Sequence, residues 1–224
     1  MRRRTAEAED ERVAGQQWVP SSYEEMVDPR SAALIMWDFQ VGLGGRAVNL
    51  NEIVTAARRL LGAADESGVP VIWSRHTIPP LPQVTPGSLY RMMKKQGVRS
   101  PADLQPAMRE GSPDREFIPQ LQPRKYDTII DKSTPSFFVG TPLQLRLSAL
   151  QVRTLVFCGV ATEIGIDLTA KHAFALGFYP VVVEDAVGSY TPERHTLGLA
   201  ALRSWVPVMT ASEVIAGWEA ASFR

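Results

Sequence analysis

The chain has 224 residues, 45% of them hydrophobic, with 24 basic and 24 acidic side chains and a formal net charge of +0. That is enough apolar material for one sizeable core, and the charge balance excludes a global bias towards nucleic acid or anionic membrane. The one cysteine, Cys158, cannot form an internal disulfide and sits in an apolar run, as expected of a reducing, cytoplasmic compartment.

Residues 1–30 are polar, lack periodicity and contain Pro20-Ser21-Ser22 and Asp28-Pro29, which reads as an N-terminal arm or surface wrap rather than a fold element. They open on Met1-Arg2-Arg3-Arg4, but residues 5–10 are polar and acidic, so no signal-peptide core is expected. No later run approaches the roughly 18 apolar residues of a membrane span. Residues 31–224 are expected to form one domain.

Within that domain, strand-length apolar runs alternate with stretches of helical period. The strands are expected at residues 32–39, 69–75, 128–131, 154–158, 180–184 and 206–209. Helices are expected over 51–67, 141–150, 162–176, 192–204 and 211–221; in the first of these, Ile53, Ala56, Ala57, Leu60, Leu61 and Ala64 fall on one face and Gly68 supplies a stop. This alternation predicts an α/β fold, a three-layer, doubly wound, mostly parallel six-stranded sheet with helices on both faces, Rossmann-like in architecture.

Residues 77–126 interrupt the pattern with prolines from Pro79 to Pro123 and basic residues including Arg91, Lys94 and Lys95. A connection this long is either a solvated insertion or a lid over a binding site.

Three positions carry the chemistry. Asp38 ends the first apolar strand, where a carboxylate needs a partner or a task, although an Asp at a strand end can also simply cap a turn. Lys132 directly follows the third strand, and strand carboxyl ends in one parallel sheet face a common crevice. A carboxylate and an ammonium held together there can shift each other's pKa and serve proton transfer. The third position is Gly165, in the strand-to-helix turn that begins Gly159-Val160-Ala161-Thr162-Glu163.

These blocks together resemble the isochorismatase-like hydrolase superfamily. Its first strand ends in Asp, here Asp38; a later strand ends in Lys before a Phe-Phe-containing segment, here Lys132 and Ser136-Phe137-Phe138; and a Gly-Val-x-Thr turn opens a helix, here Gly159 to Thr162. The resemblance covers roughly residues 31–213. It implies that Asp38 and Lys132 are catalytic and that the substrate is a small molecule. The substrate-binding set is expected to comprise Gly165 with Val160, Ala161, Thr162 and Glu163 of the turn, His76 at the end of the second strand, Phe39 and Gln40 beside Asp38, Phe137, and Arg91 of the basic insertion. A cis peptide between Val160 and Ala161 and a homo-oligomer, dimer or tetramer, are also implied. The 197–205 stretch could serve an interface or the core.

Most members of the superfamily carry a catalytic cysteine where this chain has Gly165. In amidohydrolases of the group a thiolate attacks an amide carbonyl; in isochorismatases proper, which release pyruvate from a vinyl ether, glycine stands there and the Asp donates a proton. Thr162-Glu163 resembles the amidohydrolase branch. Thr162 is expected to cap the helix and Glu163 to sit in its first turn, or to act as a second acid/base. Three readings stay open: vinyl-ether hydrolysis by an Asp general acid with the space at Gly165 open to substrate or water, amide or ureido hydrolysis by direct water attack, and a silent metabolite-binding protein. Cys158 is expected in the core, and Lys171 and His172 at the surface. The three histidines, His76, His172 and His195, lack metal-ligand spacing, and no phosphate-binding or dinucleotide motif occurs, so neither a metal nor an organic cofactor is expected.

Overall fold

The computed structural model describes residues 18–222. Six strands, β1 (Ala32–Trp37), β2 (Val71–His76), β3 (Thr128–Lys132), β4 (Thr154–Val160), β5 (Tyr179–Gly188) and β6 (Val208–Met209), form one sheet in the order β3-β2-β1-β4-β5-β6. Every neighbouring pair is parallel, the fold expected from the alternating pattern. The chain steps outward from β1 to β2 and β3, then returns to lay β4 on the other side of β1. The strand order therefore reverses between β1 and β4, and in open α/β sheets this reversal opens a crevice at the strand carboxyl ends.

Seven α-helices are present among the described residues: α1 (Tyr23–Met26), α2 (Leu50–Glu66), α3 (Pro86–Gln96), α4 (Leu143–Ala149), α5 (Asp167–Ala175), α6 (Pro192–Arg203) and α7 (Ala211–Ser222). The central strands read as unbroken apolar runs because both of their faces are covered, and all six residues of β1 are buried. Their side chains nevertheless alternate. Leu34 and Met36 point into a core shared with Leu60 of α2 and Trp218 of α7, whereas Ala33, Ile35 and Trp37 point into a second core with Leu147, Ala173 and Leu202 of α4, α5 and α6. Burying a side chain such as Leu34 or Ile35 contributes about 1.5–3 kcal/mol relative to leaving it exposed.

Two segments differ from the sequence reading. Of the expected arm, residues 1–17 lie outside the described residues. The remainder carries α1, capped by Ser22, whose hydroxyl accepts the Glu25 N–H at 3.2 Å, and Val27, which is fully buried in the first core. The apolar residues of this segment, Trp18, Val19, Tyr23, Met26 and Val27, are too irregularly spaced among polar ones to give a periodicity. The insertion has two parts with different characters. Helix α3, capped by Thr85 and ended by Gly97 at φ +69°, buries none of its residues. The following stretch folds onto the body: Leu104, Met108, Phe117, Ile118 and Leu121 are buried, and Phe117 forms an antiparallel bridge with Gln40.

Candidate active site

Asp38 is the residue at which the chain leaves β1. It adopts φ +47°, a left-handed conformation that Asp tolerates better than most residues. Its carbonyl accepts the N–H groups of Gln40 (2.7 Å) and Gly44 (3.1 Å). An added Cβ at Gly44 would stand 2.9 Å from the Asp38 carbonyl oxygen, so only glycine lets the loop close back on the strand end.

The register of the sheet then delivers the partners. Trp37 lies opposite Ser74 on β2, and His76 lies opposite Lys132 on β3. The Ser74 hydroxyl donates to Asp38 Oδ1 at 2.6 Å, and Lys132 Nζ donates to Oδ2 at 2.7 Å. Both charged side chains are buried, at 5% exposure each. Such a pair is held only because each charge answers the other. Burial lowers the Lys132 pKa, and the Asp38 carboxylate opposes that shift. The Lys132 ammonium also rests over the Trp37 ring, 4.3 Å from its centroid, a cation–π contact in a desolvated setting. His76 is pushed down to about 4 by burial and then by the nearby Lys132 charge, so its ring is neutral at pH 7.

The third wall is the turn after β4. The Val160–Ala161 peptide is cis, as the resemblance implied, and residues Thr162–Ile166 form a π-helical turn before α5. Thr162 does not cap that turn, contrary to expectation. Its hydroxyl donates to the Gly188 carbonyl at 3.0 Å and lies 2.9 Å from His195 Nδ1. With its one proton given to Gly188, Thr162 accepts from an Nδ1–H tautomer of His195. Glu163 Oε2 accepts from Ser189 at 2.7 Å, which ties the turn to the end of β5. Gly165 lines the cavity, but the space in its Cβ direction is not open. An added Cβ there would stand 2.5 Å from Trp37 Cζ2 and 2.6 Å from Nε1, because the indole already fills it.

These walls enclose a cavity of ≈ 290 Å³ lined at its base by Trp37, Asp38, His76, Lys132 and Gly165. Val160 and Ala161 also line it, and helix α3 covers it with Arg91 and Lys95. Arg46 and Tyr190 also line it. Asp38 is the one carboxylate among the lining residues, against Arg46, Arg91, Lys95 and Lys132. The Tyr190 hydroxyl is pushed up to about 12 by burial and by the Asp38 and Glu163 carboxylates, so it remains protonated and can donate.

Of the expected binding residues, the structure therefore brings Gly165, Val160, Ala161, His76 and Arg91 to the cavity with Asp38 and Lys132, and puts five behind its walls. Thr162 and Glu163 face β5, as above. Gln40 is a brace: its Nε2 donates to the His76 and Arg115 carbonyls (3.0 and 2.6 Å) and its Oε1 accepts the His76 N–H (2.7 Å). Phe39 lies in the first core against Trp73 at 6.4 Å, because the residue after Asp38 turns to the far face. Phe137 packs edge-on against Trp37 at 5.5 Å and supports it from behind. His172 is half-buried rather than at the surface, with Nδ1 2.8 Å from the Ser136 hydroxyl. Cys158 is fully buried, its Sγ donating to the Ile35 carbonyl at 3.5 Å, and burial pushes its thiol up.

The cavity also holds residues that motif reading missed. Trp37 was read only as strand, although the alternation that sends Ile35 to the second core sends Trp37 there too. Arg46 and Tyr190 lie in loops after β1 and β5, where no periodicity signals a direction.

Comparisons with known proteins agree with this geometry. The sequence model of the isochorismatase domain matches residues 32–213. An uncharacterized isochorismatase family protein of Escherichia coli O157:H7, YecD, is 29% identical over 178 residues, which cover 75% of this chain and 86% of that protein. Another, YwoC of Bacillus subtilis (strain 168), is 36% identical over 80 residues, covering 36% of this chain and 42% of that protein. Among solved structures, a cysteine hydrolase from Pseudomonas syringae pv. phaseolicola 1448A superposes with a TM-score of 0.76 at 24% identity, covering 88% of this chain and 96% of that one. An isochorismatase family protein from Burkholderia thailandensis gives a TM-score of 0.69 at 27% identity, covering 85% and 96%.

Proposed function

The chain belongs to the isochorismatase domain family of hydrolases, and from that membership we propose that it is a thiol-independent hydrolase of a small carboxylated substrate, acting on a vinyl ether of the isochorismate type with Asp38 as general acid. The observation that carries this reading is the buried Asp38–Lys132 contact at 2.7 Å beside a turn that offers no side chain at position 165. A covalent route of the thiol kind needs a cysteine at the cavity. Gly165 has no side chain, and Cys158 lies inside β4 with its thiol enclosed in the first core.

Vinyl-ether hydrolysis requires an acid, charge stabilisation and water. Asp38 passes its carboxyl proton to the terminal vinyl carbon, and the C=C electron pair forms the new C–H bond. The resulting oxocarbenium ion takes up water, whose released proton returns to the Asp38 carboxylate. The hemiketal then collapses to a ketone and an alcohol, with a proton moving to the departing oxygen. Lys132, whose hold on its proton burial weakens, donates to Oδ2 and keeps that carboxyl supplied. The carboxylate stabilises the passing cation across the cavity. Arg46, Arg91 and Lys95 supply the charge that attracts and holds an anionic substrate.

A second reading, amide or ureido hydrolysis by direct water attack, draws support from the amidohydrolase-like Thr162-Glu163 pair. Incubation with isochorismate beside a panel of small amides and ureido acids, with Asp38→Asn as control, tests between them: pyruvate release lost in the variant supports the vinyl-ether reading, and ammonia or carbamate release supports the other. Self-association through the exposed aromatic pair Phe174 and Trp205, 6.0 Å apart, together with Leu197 at 70% exposure, is part of the same proposal. Within the 197–205 stretch Leu202 is fully buried in the second core, whereas Leu197 and Trp205 are exposed.

A further inference from the structure

Alternation along β1 sends Trp37 to the face of the sheet that carries the 162–166 turn. The indole is held there on three sides. One edge lies against Gly165, where an added Cβ would come within 2.5 Å of it, closer than packed atoms approach. Phe137 meets the ring edge-on at 5.5 Å, and the Lys132 ammonium covers a face at 4.3 Å. The remaining side is the cavity that Trp37 lines together with Asp38.

We propose that Trp37 is the specificity-determining residue of this site: its indole occupies the volume that a nucleophilic side chain at position 165 would need, and so commits the Asp38–Lys132 pair to chemistry without a covalent intermediate. The proposal rests on the thiol-independent reading above and deepens it. Gly165 is small because Trp37 is large, and the wall that a bound substrate meets at this point is the indole. Replacing the glycine alone therefore cannot open a covalent route. Replacing both residues removes the indole that lies between position 165 and the Lys132 ammonium and leaves a thiol in the cavity that Lys132 lines, where it would ionise readily.

The test needs no substrate. Gly165→Cys and Trp37→Val/Gly165→Cys proteins are treated with iodoacetamide from pH 5 to 9 and followed by intact-mass spectrometry, with the parent protein as the control for buried Cys158. The double variant is expected to take up one label about fifteenfold faster at pH 7 than the single variant, the gain in thiolate when a thiol pKa falls from about 8.5 to about 7. Equal rates in the two variants, or a double-variant thiol that titrates like a free one, would overturn the proposal. Because the single variant can fail to fold, thermal midpoints of Gly165→Ala, Trp37→Val and their combination provide a second measurement. Gly165→Ala is expected to lower the midpoint by about 5 °C in the parent and to have little effect in the Trp37→Val background; additive losses would overturn the proposal. Absence of pyruvate release would sink the vinyl-ether reading without altering either result.

Discussion

Ser74 Oγ bridges the main chain and the side chain of Asp38, accepting its backbone N–H at 3.0 Å and donating to its Oδ1 at 2.6 Å. One hydroxyl on the neighbouring strand thus fixes both the left-handed backbone of Asp38 and the direction of its carboxylate. Lys132 then meets the other oxygen.

Replacing Ser74 with alanine is expected to leave the fold intact and lower kcat about tenfold, equivalent to about 1.4 kcal/mol, near the lower end for one hydrogen bond to a charged group. KM is expected to change little, because Ser74 does not line the cavity. Steady-state kinetics on the substrate identified from the panel give both values.

Breaking the ion pair from one side is expected to be costly. Lys132→Met leaves a carboxylate in a site that is 5% exposed, and should destabilise the protein by about 3–5 kcal/mol. Asp38→Asn combined with Lys132→Met removes both charges and should recover most of that loss. Denaturant midpoints of the two variants check the difference.

Acid should destabilise the protein through His76. The folded-state value of about 4 lies below the ordinary 6.5, so between pH 6.5 and pH 4 the unfolded chain binds the proton and the folded chain does not. Stability from this group is full above pH 6.5 and falls as pH drops through that window, by at most about 3 kcal/mol at pH 4. In His76→Gln the slope across that window should flatten, as read from urea midpoints at pH 7, 6, 5 and 4.

The cationic rim predicts a salt effect. Arg91→Ala is expected to raise KM for an anionic substrate about tenfold with a smaller change in kcat, and KM of the parent should rise between 0.05 and 0.5 M salt as the rim is screened. A neutral substrate analogue should show neither effect.

The fold was legible because its strands are buried on both faces and therefore apolar throughout, as β1 is, and because the α2 face repeats at helical spacing. Asp38, Lys132 and Gly165 were legible because each stands at a strand end or a glycine turn, where residue type and position coincide. Thr162 and Glu163 misled because sequence neighbours on a turn point in different directions, and the hydrogen bonds to Gly188 and Ser189 that decide their direction come from a strand some 26 residues later. The indole beside Gly165 was invisible for a related reason. Its contact joins residues 37 and 165, and no local pattern reports on what fills a space across two strands.

The measurement that bears most directly on the account is pyruvate release from isochorismate by the purified protein and by Asp38→Asn, followed by mass spectrometry in D2O. The account predicts pyruvate carrying one solvent-derived deuterium on its methyl carbon, formed by the parent and reduced at least about a hundredfold in the variant. Equal release by both proteins, or turnover confined to amides with ammonia as product, would contradict it.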